Sequence, residues 1–167
     1  MTLSEQSATF RDHALALRGY TTADEEAAIE LWRRTWQMAY PHIDFTARLS
    51  WWRERWRSEL VPGCIIMVAE QSNAAAGAAG ELIGFVTIEA KSGYLDQLVV
   101  APERWGSHAA AALLDAAKDV APAGIDLHVN CDNERAIRFY KKHGFVVTGE
   151  DANPRSSAPI YKLSWRA

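Results

Sequence analysis

Apolar and polar positions follow a helical period in two segments of the first half of the chain. Apolar residues there recur every three or four positions, which is typical of a helix that packs one face against a core. The first helix is expected to begin at Thr22, because Glu25 three residues later completes a capping box, and to end before Pro41. The second is expected over 46–60, before Pro62. The pattern therefore predicts a pair of amphipathic helices.

Strands are predicted where short runs are rich in β-branched and apolar residues. An alanine- and glycine-rich segment, 71–80, is expected to form a long hairpin turn between two of them. In the second half, one helix is expected after a turn near Pro102 and another over 132–143, with Gly144 just past its end. Four strands that can pair antiparallel, followed by a β-α-β-α order, predict an α/β or α+β fold. The predicted strands are 14–20, 64–70, 82–90, 94–100, 125–130, 145–148 and 160–165.

Composition narrows the class of protein. The 167 residues suit one domain, and we expect a flexible segment at 1–12 before a single domain over 13–167. A net charge of -3 argues against nucleic-acid or anionic-membrane partners, which need a basic surface. The two cysteines lack metal-ligand spacing, so no metal site is expected. We find no signal-peptide pattern and no apolar run of the ~20 residues that span a bilayer, so a cytoplasmic protein is expected.

The segment "RWGSHAAAALL", 104–114, follows a predicted strand and a turn. Its first helical turn has no acidic side chain, so its free N–H groups and the positive end of the helix dipole favour an external anion. The alternative is an alanine-rich packing helix with water on its first turn. Taken alone, the segment favours this alternative, because small residues are common at helix starts.

Asn133 and Tyr140 are seven residues apart in the last predicted helix, which places them on one face. An amide and a phenol on the same line suit a ligand groove. The alternative, that Asn133 caps the helix and Tyr140 is a core aromatic, is again favoured when the pair is considered alone.

Together these two segments resemble the signatures of the GNAT superfamily of N-acetyltransferases. "LVVAPERWGSHAAAALLDAAK" is similar to the acetyl-CoA-binding pattern Val-x-Pro-x-x-[Gln/Arg]-x-x-Gly-x-[Gly/Ala], with Trp105 in place of Gln or Arg and His108 in place of the central Gly. "LHVNCDNERAIRFYKKHGF" is similar to the second pattern, Val-x-x-x-Asn-x-x-Ala-x-x-Phe-Tyr-x-x-x-Gly-Phe. Its matching positions are Val129, Asn133, Ala136, Phe139, Tyr140, Gly144 and Phe145.

The resemblance implies a mixed sheet of about six to seven strands, splayed between the fourth and fifth strands and flanked by about four helices. Acetyl-CoA, the acyl donor, would lie in the splay, with Asn133 bonded to its pantetheine arm or to the loop. Main-chain groups near Leu98, Val99 and Val100 would pair with the pantetheine amides. The residues implied for the pyrophosphate are Arg104, Trp105, Gly106, Ser107, His108, Ala109 and Ala110.

The resemblance also implies direct attack of an amine on the thioester. Tyr140 would protonate the departing thiolate, since a phenol with a pKa near ~10 stays protonated at neutral pH. A strand N–H, that of Val99, would hold the oxyanion. Asp96 is a candidate base or water anchor, and Glu89 is another. Either acid is alternatively a solvated charge at a strand edge.

Other residues are further candidates for the functional site. His42 lies in the loop that borders the acceptor site in this family, and His128 lies on the fifth predicted strand. Lone histidines are more often structural or solvated. Cys131 follows that strand, but no partner for a covalent mechanism lies at signature spacing. Because Trp51 and Trp52 are adjacent, one of them is expected to leave the core for an acceptor pocket or a dimer surface.

Three functions follow from the sequence. The first is an acetyl-CoA-dependent N-acetyltransferase that acts on the primary amine of a small molecule, with a homodimer as a reasonable assembly. The second is a degenerate, non-catalytic CoA-binding or protein-interaction module, suggested by Trp105 and His108. The third is a peptide or protein N-acetyltransferase.

Overall fold

The computed structural model describes residues 13–73 and 80–167, in which seven strands form one mixed sheet. The strand order across the sheet is β1-β2-β3-β4-β5-β7-β6. β4 and β5 are parallel, and the other neighbouring strands are antiparallel. The predicted splayed, mixed sheet is therefore confirmed. The strands are β1 His13–Gly19, β2 Ile65–Asn73, β3 Glu81–Glu89, β4 Tyr94–Val100, β5 Gly124–Asn130, β6 Val146–Ala152 and β7 Pro159–Arg166.

Four principal helices pack on this sheet. They are α1 Glu25–Ala39, α2 Leu49–Arg55, α3 Ala109–Val120 and α4 Glu134–Lys142. α2 continues through a π-helical turn, Trp56–Leu60, and a short helical turn, Val61–Gly63. The apolar period predicted one helix over most of this segment, but it carries no signal for the π turn.

The two helix pairs cover opposite faces of the sheet, as two adjacent residues of β3 show. The Phe85 ring packs edge-on against Trp56, beyond the end of α2, at a centroid distance of 5.3 Å. Gly84 faces α3, because a Cβ there would lie 2.9 Å from Leu113 Cδ1. Successive side chains of a strand point to opposite faces. Trp32 stacks on Trp52 at 4.4 Å and joins α1 to α2.

Two details of the first half differ from the sequence prediction. The capping pair is displaced by one residue, since the Asp24 carboxylate accepts from the Thr21 N–H at 2.9 Å and a 3-10 turn, Thr22–Asp24, precedes α1. Asp24 is also bound by Arg18 at 2.8 Å, which explains why it replaces Glu25 in this position. The predicted hairpin turn begins later than expected, because β2 extends to Asn73. The rest of that turn, 74–79, and the expected flexible segment, 1–12, lie outside the described residues.

β4 and β5 are adjacent at one end only. A single register pair joins them, Tyr94 with Asp126, beside a hydrogen bond from the Asp126 N–H to the Gly93 carbonyl at 3.0 Å. Beyond this point the strands diverge toward their carboxyl ends. Loops and helix termini that follow parallel strands meet at this edge, so the divergence opens a gap beneath them.

Candidate functional site

The exposed side of β4 presents the main-chain groups of alternate residues to the gap. Ala101 donates its N–H to the Ile83 carbonyl at 2.8 Å, and the Gln97 N–H reaches the Thr87 hydroxyl at 3.0 Å, so both groups point to β3. Backbone groups of alternate residues share a strand edge. Those of Val99 therefore also point to β3, whereas those of Leu98 and Val100 point into the gap.

The loop after β4 is held in place by Trp105. Its indole Nε1 donates to the Val100 carbonyl at 2.9 Å, and the Arg135 guanidinium of α4 stacks on its ring at 3.8 Å from the centroid. The side chain that departs from the family pattern therefore ties the loop to both sides of the gap. On the α1 side, Arg34 forms an ion pair with Glu103 at 2.6 Å.

The same loop offers several main-chain donors. Within the described residues, the N–H groups of Gly106, His108, Ala110 and Ala111 have no hydrogen-bond partner. They surround the start of α3, where the helix dipole is positive. The loop can therefore bind an anion through its backbone.

The left-handed turn of the loop falls at Gly106, which has a φ of 82°. His108 has a φ of -72° and is the N-cap of α3. It needs no glycine-like conformation, and its exposed side chain leaves the backbone path unchanged. Replacement of the usual glycine by His108 is thus no obstacle to the loop's shape.

Arg104 supplies an unsatisfied group at this place. Its Nε atom is buried and has no hydrogen-bond partner among the described residues. A buried guanidinium N–H without an acceptor is costly, and a bound anion is one way to satisfy it. A groove of about 440 Å³ adjoins the loop on the α1 side and is lined by Arg34, Met38, Pro102, Glu103 and Trp105.

The two residues of the second signature have different surroundings. Asn133 is the N-cap of α4, and its side chain accepts from the Ala136 N–H at 3.3 Å. Tyr140 is 8% exposed and packs between Phe139 and Phe145, each at 5.3 Å. Its hydroxyl has no hydrogen-bond partner among the described residues. Burial raises the pKa of this phenol well above its usual range, so it stays protonated.

The sequence made Asp96 a candidate base or water anchor, or alternatively a solvated charge at a strand edge, and the structure pairs it with an arginine. Arg55 of α2 donates to both of its carboxylate oxygens, at 2.8 and 2.5 Å, and Gln97 donates to it at 2.9 Å. Asp96 lies at a bulge, where the β3–β4 register shifts. Its carboxylate in turn raises the pKa of Arg55. Both carboxylate oxygens of Asp96 are therefore engaged by neighbouring side chains. Glu89 lies exposed at the end of β3.

Across the gap, β5 presents His128 and Asn130 to the α1–α2 side of the sheet. The Asn130 amide donates to the Tyr40 hydroxyl at 3.0 Å, and Tyr40 donates to Asp132 at 2.8 Å. His128 Nδ1 lies 2.8 Å from the Tyr94 hydroxyl, a hydrogen bond across the two strands. His42 is exposed, and its ring lies 6.2 Å from that of Tyr40.

Two contacts cross this face and join the α1–α2 segment to the far half of the sheet. Tyr40, beyond α1, reaches the end of β5 through Asn130 and Asp132. Arg155, in the β6–β7 loop, stacks on Trp51 of α2 at 3.5 Å. Trp52 is buried in the core. Of the adjacent tryptophans, Trp51 is thus the half-buried one at the edge of the core.

Sequence reasoning missed the residues that act at a distance. Arg55, Arg135, Tyr40 and Arg155 lie far along the chain from their partners, and no local pattern marks them. Cys131 is a free, half-buried thiol. Among the described residues no three His, Cys, Asp or Glu side chains are grouped to hold a metal ion. None of the helices in the described part of the chain is both long and apolar enough to cross a bilayer.

Comparison with known proteins agrees with this geometry. The chain is 29% identical over 124 residues to the peptidyl-lysine N-acetyltransferase YjaB of Salmonella typhimurium. The alignment covers 74% of this chain and 78% of that protein. The fold is similar to the solution structure of apo-form YjaB from Escherichia coli, with a TM-score of 0.71 and 23% identity over 91% of this chain and 97% of that one.

A second solved structure has the same fold. The PaiA N-acetyltransferase of Thermoplasma acidophilum, in complex with coenzyme A, matches with a TM-score of 0.72 and 21% identity, over 92% of this chain and 99% of that one. The sequence model of the acetyltransferase (GNAT) family matches residues 25–145, which include the gap, the loop and both signatures. This chain therefore belongs to the acetyltransferase (GNAT) family.

Proposed function

We propose that the protein transfers an acetyl group from acetyl-CoA to the primary amine of a small molecule, by direct attack of the amine on the thioester. The observation that carries the proposal is the one-sided separation of β4 and β5. It turns the main-chain groups of Leu98 and Val100 into the gap, beside the Trp105 loop. An extended, amide-bearing ligand can add to β4 there as a half-strand.

The residues of the loop fit the donor. The unpaired N–H groups of Gly106, His108 and Ala110 would hold the pyrophosphate, with the rest of the segment from Arg104 to Ala110 shaping the loop. Arg104 and Arg135 add positive charge beside it. The PaiA structure of similar fold contains coenzyme A, which supports acetyl-CoA as the donor. A degenerate, non-binding loop is not favoured, because neither Trp105 nor His108 distorts it.

Asn133 acts through the loop in this proposal. Its side-chain oxygen is bonded to Ala136, so it fixes the start of α4 and thereby the position of Arg135. Its amide N–H groups remain available to the pantetheine arm. Val99 is left out of the main-chain contacts, because its backbone groups point to β3.

Tyr140 would protonate the departing thiolate. Its pKa is raised by burial, so the hydroxyl remains a donor over the whole neutral range. The N–H of Leu98, which points into the gap, would stabilise the charge that develops on the thioester oxygen. Asp96 would act with Arg55 to fix the bulge of β4, and thus the direction of that N–H.

A small acceptor is supported by the two contacts across the α1–α2 face. Tyr40 with Asp132 and Arg155 with Trp51 join the α1–α2 segment to the far half of the sheet and would narrow the approach to the gap. Aromatic walls suit an apolar or cationic amine. A second candidate acceptor is a peptide lysine, because the Salmonella relative is a peptidyl-lysine N-acetyltransferase.

The test is an acceptor panel with acetyl-CoA, assayed by thiol release and by the mass of the product. Small aromatic, aliphatic and polyamine acceptors would be compared with lysine-containing peptides at equal amine concentration. A kcat/KM at least tenfold higher for a small amine supports the proposal. A preference for the peptides favours the second candidate, and the absence of transfer to any amine contradicts both.

A further inference from the structure

We propose that His128 accepts the proton that the acceptor ammonium must lose, and that Tyr94 holds the imidazole in the orientation required. The inference rests on the proposed function and deepens it, because it assigns the general base of the same site. It replaces Asp96, whose carboxylate is occupied by Arg55.

The strand register brings His128 to the point where the gap opens. Tyr94 and Asp126 form the single pair between β4 and β5. Two residues further along each strand, Asp96 and His128 lie on opposite sides of the gap. His128 shares its face of β5 with Asn130, which is bonded to Tyr40. It therefore lies on the α1–α2 side of the sheet, from which the amine approaches in the proposed function.

The hydrogen bond to Tyr94 holds the imidazole through Nδ1, at 2.8 Å. In the proposed tautomer the phenol oxygen accepts the Nδ1–H, and the Nε2 lone pair is free to take a proton. The His128 side chain is exposed, so an accepted proton can pass to solvent.

The charged groups around the imidazole come from its own strand and from three other elements. On β5, Asp126 is bonded to the Ser164 hydroxyl at 2.5 Å and to Arg166 at 3.1 Å. On β7, Lys162 lies in register beside His128. Asp96 on β4 and Arg55 on α2 neutralise each other. Both nearby carboxylates already have arginine partners.

The proton balance is complete with groups present in the site and water. Nε2 takes one proton from the ammonium, and the amine lone pair forms the C–N bond while the C–S bond breaks. Tyr140 gives its proton to the thiolate and regains one from solvent. The nitrogen loses its second proton to solvent, so the exchange with solvent balances. His128 returns its proton to solvent before the next turnover.

The experiment compares the pH dependence of kcat/KM for the wild type, His128→Gln and Tyr94→Phe, with His143→Gln, at the C-cap of α4, as a matched control. We expect His128→Gln to lower kcat/KM about 10²-fold or more and to abolish the rise in rate over the neutral range. Affinity for acetyl-CoA should stay within twofold. Tyr94→Phe should lower the rate several-fold and keep the shape of the profile, and His143→Gln should match the wild type.

Chemical rescue separates a proton acceptor from a structural residue. Added imidazole should restore activity to His128→Gly in proportion to the concentration of free base, and it should leave Tyr140→Phe unaffected. Two results from an active wild type would overturn the assignment of His128 and leave the proposed function standing. One is an unchanged pH profile of kcat/KM in His128→Gln, and the other is a His128→Gly that imidazole does not rescue. A wild type that binds acetyl-CoA and acetylates no amine overturns the proposed function as well.

Discussion

Arg55 and Asp96 form a bidentate ion pair, at 2.8 and 2.5 Å, that joins α2 to the bulge in β4. The two side chains are 22% and 15% exposed. The pair engages both carboxylate oxygens and ties α2 to the strand that borders the gap. We therefore predict that Asp96 supports β4 and does not act as the base.

Asp96→Asn should therefore lower stability and keep the pH dependence of the rate. Loss of one charged partner in a partly screened pair is expected to cost about 1–2 kcal/mol in the free energy of unfolding. The matched control is Asp24→Asn, which breaks the ion pair with Arg18 away from the gap. Urea denaturation and rate profiles would measure both. If Asp96→Asn lost the rise in rate over the neutral pH range, Asp96 would be the base.

Tyr140→Phe should lower kcat about 10²-fold or more, because the proton donor to the thiolate is lost. The ring keeps its contacts with Phe139 and Phe145, so the melting temperature should change little. In the wild type the protonated phenol is the active form, and its pKa is raised by burial. Activity should therefore fall with rising pH only above about pH 10. An unchanged kcat in Tyr140→Phe would remove Tyr140 from the mechanism.

Arg135→Gln should weaken acetyl-CoA binding about tenfold, because the variant loses both a positive charge and the stack on Trp105. Arg138 provides a control on the same helix. It is exposed and lies 3.9 Å from Glu134. Calorimetric titration of both variants gives the comparison. Equal effects of Arg138→Gln and Arg135→Gln would show that the net charge of α4, and not the stack, matters.

His108→Gly should bring no gain in acetyl-CoA affinity, since His108 already has a helical backbone. The extra freedom of glycine is expected to lower stability by a few tenths to about 1 kcal/mol. Gly106→Ala should also lower stability, because a φ of 82° strains an alanine even though its Cβ would meet nothing within 4 Å. Weaker binding of acetyl-CoA is expected for Gly106→Ala. A large gain for His108→Gly would mean that the natural loop is impaired.

The sequence alone predicts the order of the elements and the position of the loop after β4. It does not predict the side-chain contacts that hold these elements in place. Apolar period and turn residues predicted every strand and principal helix, because these signals are local. The pairing of Asp96 with Arg55 spans 41 residues of chain, and that of Tyr40 with Asn130 spans 90. Such pairs depend on how α1 and α2 lie on the sheet. The same reason hides the bond from Trp105 to Val100, in which a residue that breaks the family pattern supports the loop.

The most direct measurement of the central claim is a calorimetric titration of the protein with acetyl-CoA. The claim is that the gap beside Leu98 and Val100, with the loop after β4, binds this donor. We predict a saturable one-to-one heat with a dissociation constant in the micromolar range, about −8 kcal/mol, and a matching thermal shift. No heat and no thermal shift at millimolar acetyl-CoA would contradict the account.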